Sequence, residues 1–211
     1  MAPPLTFTIS GLSPNCLFVG RNLERLSKTT KDTYHELDLS ESGFINWDLI
    51  YRQPLPQHIT FISNASTIEP LGKIIPENLG VLKNSMNINL ISPIEMISSL
   101  ALWAESNSVA IKVINISSGA ANNPIAGWGS YCTTKAGMKM FLDVLAKENN
   151  FIKVIHFDPG VIDTDMQAKI RLVDKNTMPL VDNFKSFKKN GQLKSPQEVA
   201  QQLMSMCNTQ L

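Results

Sequence analysis

The sequence predicts an α/β fold: a mostly parallel sheet, doubly wound, with helices on both of its sides. Three observations predict it. Apolar runs rich in β-branched residues recur along the chain and alternate with stretches of helical pattern. Several of these runs are apolar at nearly every position, as strands covered on both faces are. The length of 211 residues, 43% apolar and 18% charged, suits one globular domain over residues 1–211.

The elements follow in order. The expected strands are Leu5–Ser10, Cys16–Gly20, Tyr34–Leu39, Ile59–Ser63, Val109–Ile116 and Phe151–Phe157. The expected helices are Leu23–Thr29, a segment near Phe44–Arg52, Pro76–Ser106, Ser130–Glu148 and Ser195–Cys207. Pro76–Ser106 carries Met86, Ile88, Leu90, Ile94, Ile97, Leu100 and Trp103, more than one apolar stripe. Such a helix is expected to lie on the sheet and against a second subunit, giving a homodimer or homotetramer. Pro93 should kink or interrupt it. The stretch Lys175–Leu193 is polar, holds Pro179 and Gly191, and reads as a mobile surface excursion. Ser195-Pro196-Gln197-Glu198 supplies an N-cap, a proline at the first helical position and a capping-box glutamate.

Composition excludes several functions. A net charge of +1 gives no bulk field for nucleic acid or an anionic membrane. No apolar run reaches the ~18 residues of a membrane span. The start MAPPLTFTIS lacks the basic region of a signal peptide. Cys16, Cys132 and Cys207 are too few and too scattered for a disulfide framework or a zinc site. The expectation is a cytoplasmic protein without nucleic-acid or membrane partners. His35, His58 and His156 show no ligand spacing and read as strand-end or surface residues, so no metal is expected.

One region carries chemistry. The strand Val109–Ile116 runs into Ser117-Ser118-Gly119; Tyr131 and then Lys135 follow in GWGSYCTTKAGM. Positions four apart share a helix face, so the Tyr131 phenol and the Lys135 ammonium are expected in one cleft. A cation beside a phenol lowers its pKa from about 10 and suits it to acid/base work on a carbonyl or alcohol. Ser118, at the carboxyl end of a central strand, stands where open parallel sheets bind ligands. Asp163 and Asp165 read as caps of the following segment. The glycosylation-like patterns at Asn64 and Asn115 fall inside the motif segments and are discounted.

The chain resembles the short-chain dehydrogenase/reductases. The matching residues are NISSGA (Asn115–Ala120), YCTTK (Tyr131–Lys135), SNAS (Ser63–Ser66), Asn89 in NINLIS and DPGVIDTDM (Asp158–Met166). The PIAGWGSYC and DTDM stretches look most like the sepiapterin reductase and benzil reductase branch. The resemblance implies a Rossmann-type sheet and an NADPH-dependent carbonyl reductase of a small ketone or diketone. It implies Tyr131 as general acid/base, Lys135 on the phenol and the nicotinamide ribose, Ser118 on the substrate carbonyl, and Asn89 on a proton-relay water. Pro159, Gly160, Ile162 and Thr164 would line the nicotinamide. Asp38 and Leu39 would lie at the adenine, and Asn64 and Ala65 beneath the cofactor. Arg21 would meet a 2′-phosphate, and Trp128 would wall the substrate pocket or be simply a packed loop aromatic.

The pattern departs from the family at the ends. The family's first strand feeds a glycine-rich turn and a crossover helix; here the stretch reads TFTISGLSPNCLFVGRN, with only Gly11 in place. Five residues separate the first two expected strands, whereas a parallel βαβ unit takes ~30 residues and a short link suits a hairpin. The sheet is therefore expected to be truncated at its first βαβ unit and to lack a last strand. Each amide–phosphate bond lost with the turn would forgo ~1.5–3 kcal/mol. The competing reading is a family member without cofactor binding, acting as a binding or scaffold protein. A third is an internally deleted reductase.

Overall fold

The computed structural model describes residues 16–21, 23–25, 32–41, 43–51 and 54–208. The expected strand over residues 5–10, the turn at Gly11 and residues 26–29 of the first expected helix lie outside these. The described strands are all parallel. Strand β1 (Leu17–Gly20) pairs with β2 (Thr33–Glu36), Leu17 opposite Thr33. Strands β3 (His58–Ser63), β4 (Ala110–Ile116) and β5 (Ile152–Phe157) form a second sheet with β4 in the middle.

Alternation along β4 explains its apolar run. Ile111 and Val113 join a core with helices α3 (Ser92–Asn107) and α4 (Gly129–Glu148). Ile114 and Ile116 join a separate core with Val199 and Leu203 of helix α7 (Pro196–Cys207). Both faces are covered, so polar alternation would bury unpaired groups. Lys112 lies in this strand and is 1% exposed. Its ammonium donates to the carbonyls of Met206 and Cys207, at 3.4 and 3.2 Å. It thus binds the negative end of α7, where helix carbonyls lack partners.

The segment near Phe44–Arg52 forms only one turn, α1 (Trp47–Ile50). That turn is tied to α3 by two indole hydrogen bonds: Trp47 Nε1 to Ser99 Oγ and Trp103 Nε1 to Asp48 Oδ1, each 2.9 Å. The region Pro76–Ser106 is helical throughout, but not uniformly. A 3₁₀ turn (Pro76–Asn78), α2 (Leu79–Met86), a π-helical segment (Asn87–Ile91) and α3 follow one another. The interruption expected from Pro93 takes the π form. A proline ring crowds the carbonyl four residues back, here that of Asn89, and the widened turn relieves it while the Ser92 N–H bonds the Asn87 carbonyl.

Two expectations are corrected. The Lys175–Leu193 excursion is not a loose loop: Val181–Lys189 is helix α6, following α5 (Asp165–Leu172). Met178 and Val181 are fully buried, and Phe184 packs with them. The apolar residues Val181 and Phe184 recur at helical spacing, so the polar majority faces solvent while one stripe anchors the segment. His156 stands near the end of β5, as expected, but is not a free surface residue: partly buried, its Nε2 is 3.0 Å from Asp143 Oδ1 of α4 and its Nδ1 3.1 Å from Asn115 Nδ2 of β4. His35 lies within β2 and His58 opens β3, exposed.

Ser195 caps α7 as expected, its hydroxyl accepting from the Glu198 N–H while Glu198 returns to the Ser195 N–H. Gly43 lies against the backbone of Ser92, where an added Cβ would stand 1.9 Å from the Ser92 carbonyl oxygen. The start of α3 can reach this loop only because that side chain is absent. Gly43→Ala should lower stability by about 1–3 kcal/mol, read as a shift in the urea midpoint; an unchanged midpoint would show that the contact is not close.

Candidate active site

The site is assembled at the carboxyl ends of β3, β4 and β5. Strand β4 ends at Ile116. Ser117 continues the ladder by donating its N–H to the Phe157 carbonyl at 2.8 Å. Ser118 is in extended conformation and caps the 3₁₀ turn Gly119–Ala121, its Oγ accepting from the Ala120 N–H. Helix α4 then brings Tyr131 and Lys135 to the same place, both buried. Lys135 donates to the Ile116 carbonyl at 2.8 Å, and its Nζ stands 5.6 Å from the centre of the Tyr131 ring.

Asn89 arrives from the π-helical segment. Its Oδ1 accepts from the Thr67 N–H and its Nδ2 donates to the Thr67 carbonyl, each at 2.7 Å. The same Nδ2 lies 3.2 Å from the hydroxyl of Thr134, the residue before Lys135. One amide side chain thus ties the loop after β3 to α4 at Thr134, next to Lys135. The structure therefore brings together Ser118, Tyr131, Lys135 and Asn89.

The electrostatics differ from the sequence expectation. Burial pushes the Tyr131 phenol up to about 12; a hydrogen bond with Ser118 opposes the rise, and Asp158 adds to it. Burial pulls the Lys135 ammonium down to about 8, with Asp158 opposing. The expected depression of the phenol by Lys135 is absent because desolvation acts on both groups and disfavours both charged forms. Asp158 is a residue whose part the sequence reading missed. It follows β5, and its Oδ1 accepts from the Gly160 N–H at 2.9 Å. The β4–β5 register places it beside Ser117. Its signal in the sequence is its place at the head of DPGVIDTDM, directly after the last expected strand.

Asp163 and Asp165 are not the caps. Thr164 is the N-cap of α5, its hydroxyl accepting from the Gln167 N–H. Asp163 instead pairs with Lys188 of α6 and Arg171 of α5. The remaining cofactor candidates follow the carboxyl ends of β1 and β2 in one sheet and of β3 and β5 in the other. Arg21 follows β1, and its Nη1 is 3.1 Å from Asp38 Oδ2. Burial pushes the Asp38 carboxyl up, but hydrogen bonds from Ser40 and the Arg21 guanidinium outweigh it and hold it below the ordinary value. Leu39 packs at the edge of the main core, and its carbonyl accepts from Ser92 Oγ. Asn64 and Ala65 follow β3; Pro159 is buried after β5, and Gly160 beside it is exposed. Ile162 pairs with Lys194 in an isolated bridge.

Trp128 stands immediately before α4, 6% exposed, edge-on to Tyr131 at a ring separation of 5.3 Å. Phe184 of α6 covers it, also at 5.3 Å. The loop bearing it is fixed by Gly127 (φ +85°), where an added Cβ would meet the Thr177 carbonyl at 2.5 Å. Among the described residues, the buried side-chain polar atoms without a partner are Ser66 Oγ, Trp128 Nε1 and Ser130 Oγ. Ser66 follows the Asn64–Ala65 pair, and the other two come just before Tyr131 in the chain. No cluster of three or more His, Cys, Asp or Glu side chains able to hold a metal occurs among the described residues. Nor is any helix among them long and apolar enough to cross a membrane.

A family model described as short chain dehydrogenase matches residues 52–175. The chain belongs to the short chain dehydrogenase family. It is 36% identical over 186 residues to a benzil reductase ((S)-benzoin forming) from Bacillus cereus, a match covering 84% of this chain and 75% of that protein. It is 34% identical over 155 residues to a sepiapterin reductase from Bos taurus, covering 71% of this chain and 57% of that one. The crystal structure of the KRED1-Pglu enzyme shares the fold with a TM-score of 0.78 at 24% identity, over 90% of this chain and 82% of that one. Membership accounts for the parallel sheet and the Ser-Tyr-Lys arrangement together.

The buried ammonium leaves a signature in stability. Unfolded, Lys135 titrates near 10.5; folded, near 8. Between about 8 and about 10.5 the unfolded chain binds the extra proton, so this group adds stability as pH rises through that window. The wild-type protein should therefore gain on Lys135→Met across it, measured by urea denaturation at both ends. A pH-independent difference would mean that the ammonium is not desolvated.

Proposed function

We propose that this chain is an NADPH-dependent reductase of small ketones and diketones. The observation that carries the reading is the Ser118–Tyr131 hydroxyl pair at the end of β4, with the Lys135 ammonium held on the Ile116 carbonyl 5.6 Å from the centre of the phenol ring. The benzil and sepiapterin reductases among its relatives support the substrate class.

The residues fit a nicotinamide dinucleotide. The orphaned Ser66 hydroxyl offers a hydrogen bond beside Asn64 and Ala65. Arg21 and Asp38 stand together on loops that follow β1 and β2, suited to a 2′-phosphate and an adenine edge. Leu39 would flank the adenine. Pro159, Gly160, Ile162 and Thr164 would line the nicotinamide, and Tyr131 and Lys135 would hold its ribose. When bound, the cofactor supplies the hydride for the carbonyl carbon.

The chain's own residues supply the rest. Ser118 and Tyr131 hydrogen-bond the substrate oxygen. Burial keeps the phenol protonated at neutral pH, so Tyr131 acts as a proton donor to the developing alkoxide. Lys135, largely charged below about 8, stabilises the phenolate left behind. Asn89, held at both amide ends by Thr67, carries the relay toward solvent. Trp128 forms a wall of the pocket. The exposed Leu102, Met140 and Val144 on α3 and α4 support association with a second copy, as a homodimer or homotetramer. The free cysteines suit a reducing, cytoplasmic setting.

Calorimetric titration with NADPH should show saturable binding, weakened about 10-fold or more by Arg21→Ala. No saturable binding of NADPH or NADH would overturn the reading and leave a binding or scaffold role. Tyr131→Phe should lower reduction of benzil by about 100-fold or more, followed as NADPH consumption. The rate should fall above about pH 8 as Lys135 loses its proton. Lys135→Arg should move that limb upward, since the guanidinium stays charged.

A further inference from the structure

Two indoles of this chain are satisfied and one is not. Trp47 Nε1 donates to Ser99 Oγ and Trp103 Nε1 to Asp48 Oδ1. Trp128 Nε1 is buried without an acceptor, in a side chain more than nine-tenths covered. A buried indole N–H ordinarily has a partner, because an unmet donor forfeits its hydration. Trp128 stands immediately before α4 and three residues ahead of Tyr131, and its ring lies edge-on to the phenol at 5.3 Å. Ile125, Met178 and Phe184 belong to the same apolar cluster as the pair, while Ser118, Lys135 and Asp158 act on Tyr131.

We propose that the Trp128 indole N–H is the second hydrogen-bond donor of the substrate pocket. It holds the non-reacting carbonyl oxygen of a 1,2-dicarbonyl substrate. This rests on the reductase reading above and extends it to specificity. Ser118 and Tyr131 together engage one carbonyl oxygen. A donor-only group on the ring packed against Tyr131 suits an acceptor-only group next to the first carbonyl, and the adjacent carbonyl of a 1,2-diketone is one. A mono-ketone leaves the indole unmet, and that unpaired donor becomes the basis of discrimination. The apolar surroundings suit an alkyl or aryl flank rather than a charged one.

The test compares 1-phenylpropane-1,2-dione with propiophenone, which lacks the second carbonyl. Trp128→Phe keeps an aromatic ring and removes the N–H. Its ratio of kcat/KM for the dione to kcat/KM for propiophenone should fall by about 10-fold or more. Equal losses on both substrates would overturn the proposal. A second readout needs no turnover. In the full chain with 15N-labelled tryptophan and NADP⁺ present, the dione should move the Trp128 indole proton downfield. Propiophenone should not, and the Trp47 and Trp103 signals should stay in place. An indole signal indifferent to the dione would also overturn the proposal. If neither ketone is reduced by the wild-type chain, the reductase reading fails, and the indole titration decides the donor assignment by itself.

Discussion

The hydrogen bond from Lys135 to the Ile116 carbonyl joins α4 to the last residue of the central strand, and the site is arranged around it. A charged donor on a neutral carbonyl contributes ~1.5–3 kcal/mol. Against this stands the cost of burial, visible in the fall of the lysine's pKa from 10.5 to about 8. A buried ammonium is tolerated only where an acceptor is fixed, and a strand-end carbonyl is fixed by the ladder behind it. The same bond orients the first turns of α4, because Tyr131 is one helical turn away. The phenol therefore meets Ser118 as a consequence of where Lys135 is held.

Two other constraints converge on that helix. The π-helical segment widens the turn ahead of Pro93 and sets Asn89 where it bonds Thr67 on one side and Thr134 on the other. The Asp143–His156–Asn115 chain ties the middle of α4 to β5 and β4. The helix is thus fixed to the sheet at points along its length, and the reactive face cannot rotate without breaking buried polar contacts.

The cover of the site is built differently. Helices α5 and α6 are anchored by Met178, Val181 and Phe184 below and by ion pairs of Asp163 with Arg171 and Lys188 above. Exposed ion pairs contribute little, ~0–1 kcal/mol, so the apolar stripe does most of the anchoring. Burial beneath it raises the phenol's pKa and isolates the indole N–H. The chemistry of Tyr131 is therefore set by packing more than by its lysine neighbour.

Much of this was legible beforehand, and for identifiable reasons. Strand runs such as Ala110–Ile116 are readable because burial on both faces demands an apolar side chain almost everywhere. The helix of Tyr131 and Lys135 is readable because i and i+4 share a face. The Ser195 cap is readable because the capping box is a local motif. What was misread depends on contacts distant in sequence. Residues 175–193 look like a loop because only a few apolar positions anchor α6. His156 looks peripheral because its partners lie 13 and 41 residues away. By itself the sequence determined the parallel α/β class, the family and the identity of the Ser-Tyr-Lys set, since these rest on periodicity and short motifs. Only the tertiary structure decided the protonation of Tyr131, the place of Asp158 and the unmet donor of Trp128. Desolvation and hydrogen-bond satisfaction depend on what surrounds a group in space, and no local spacing encodes that.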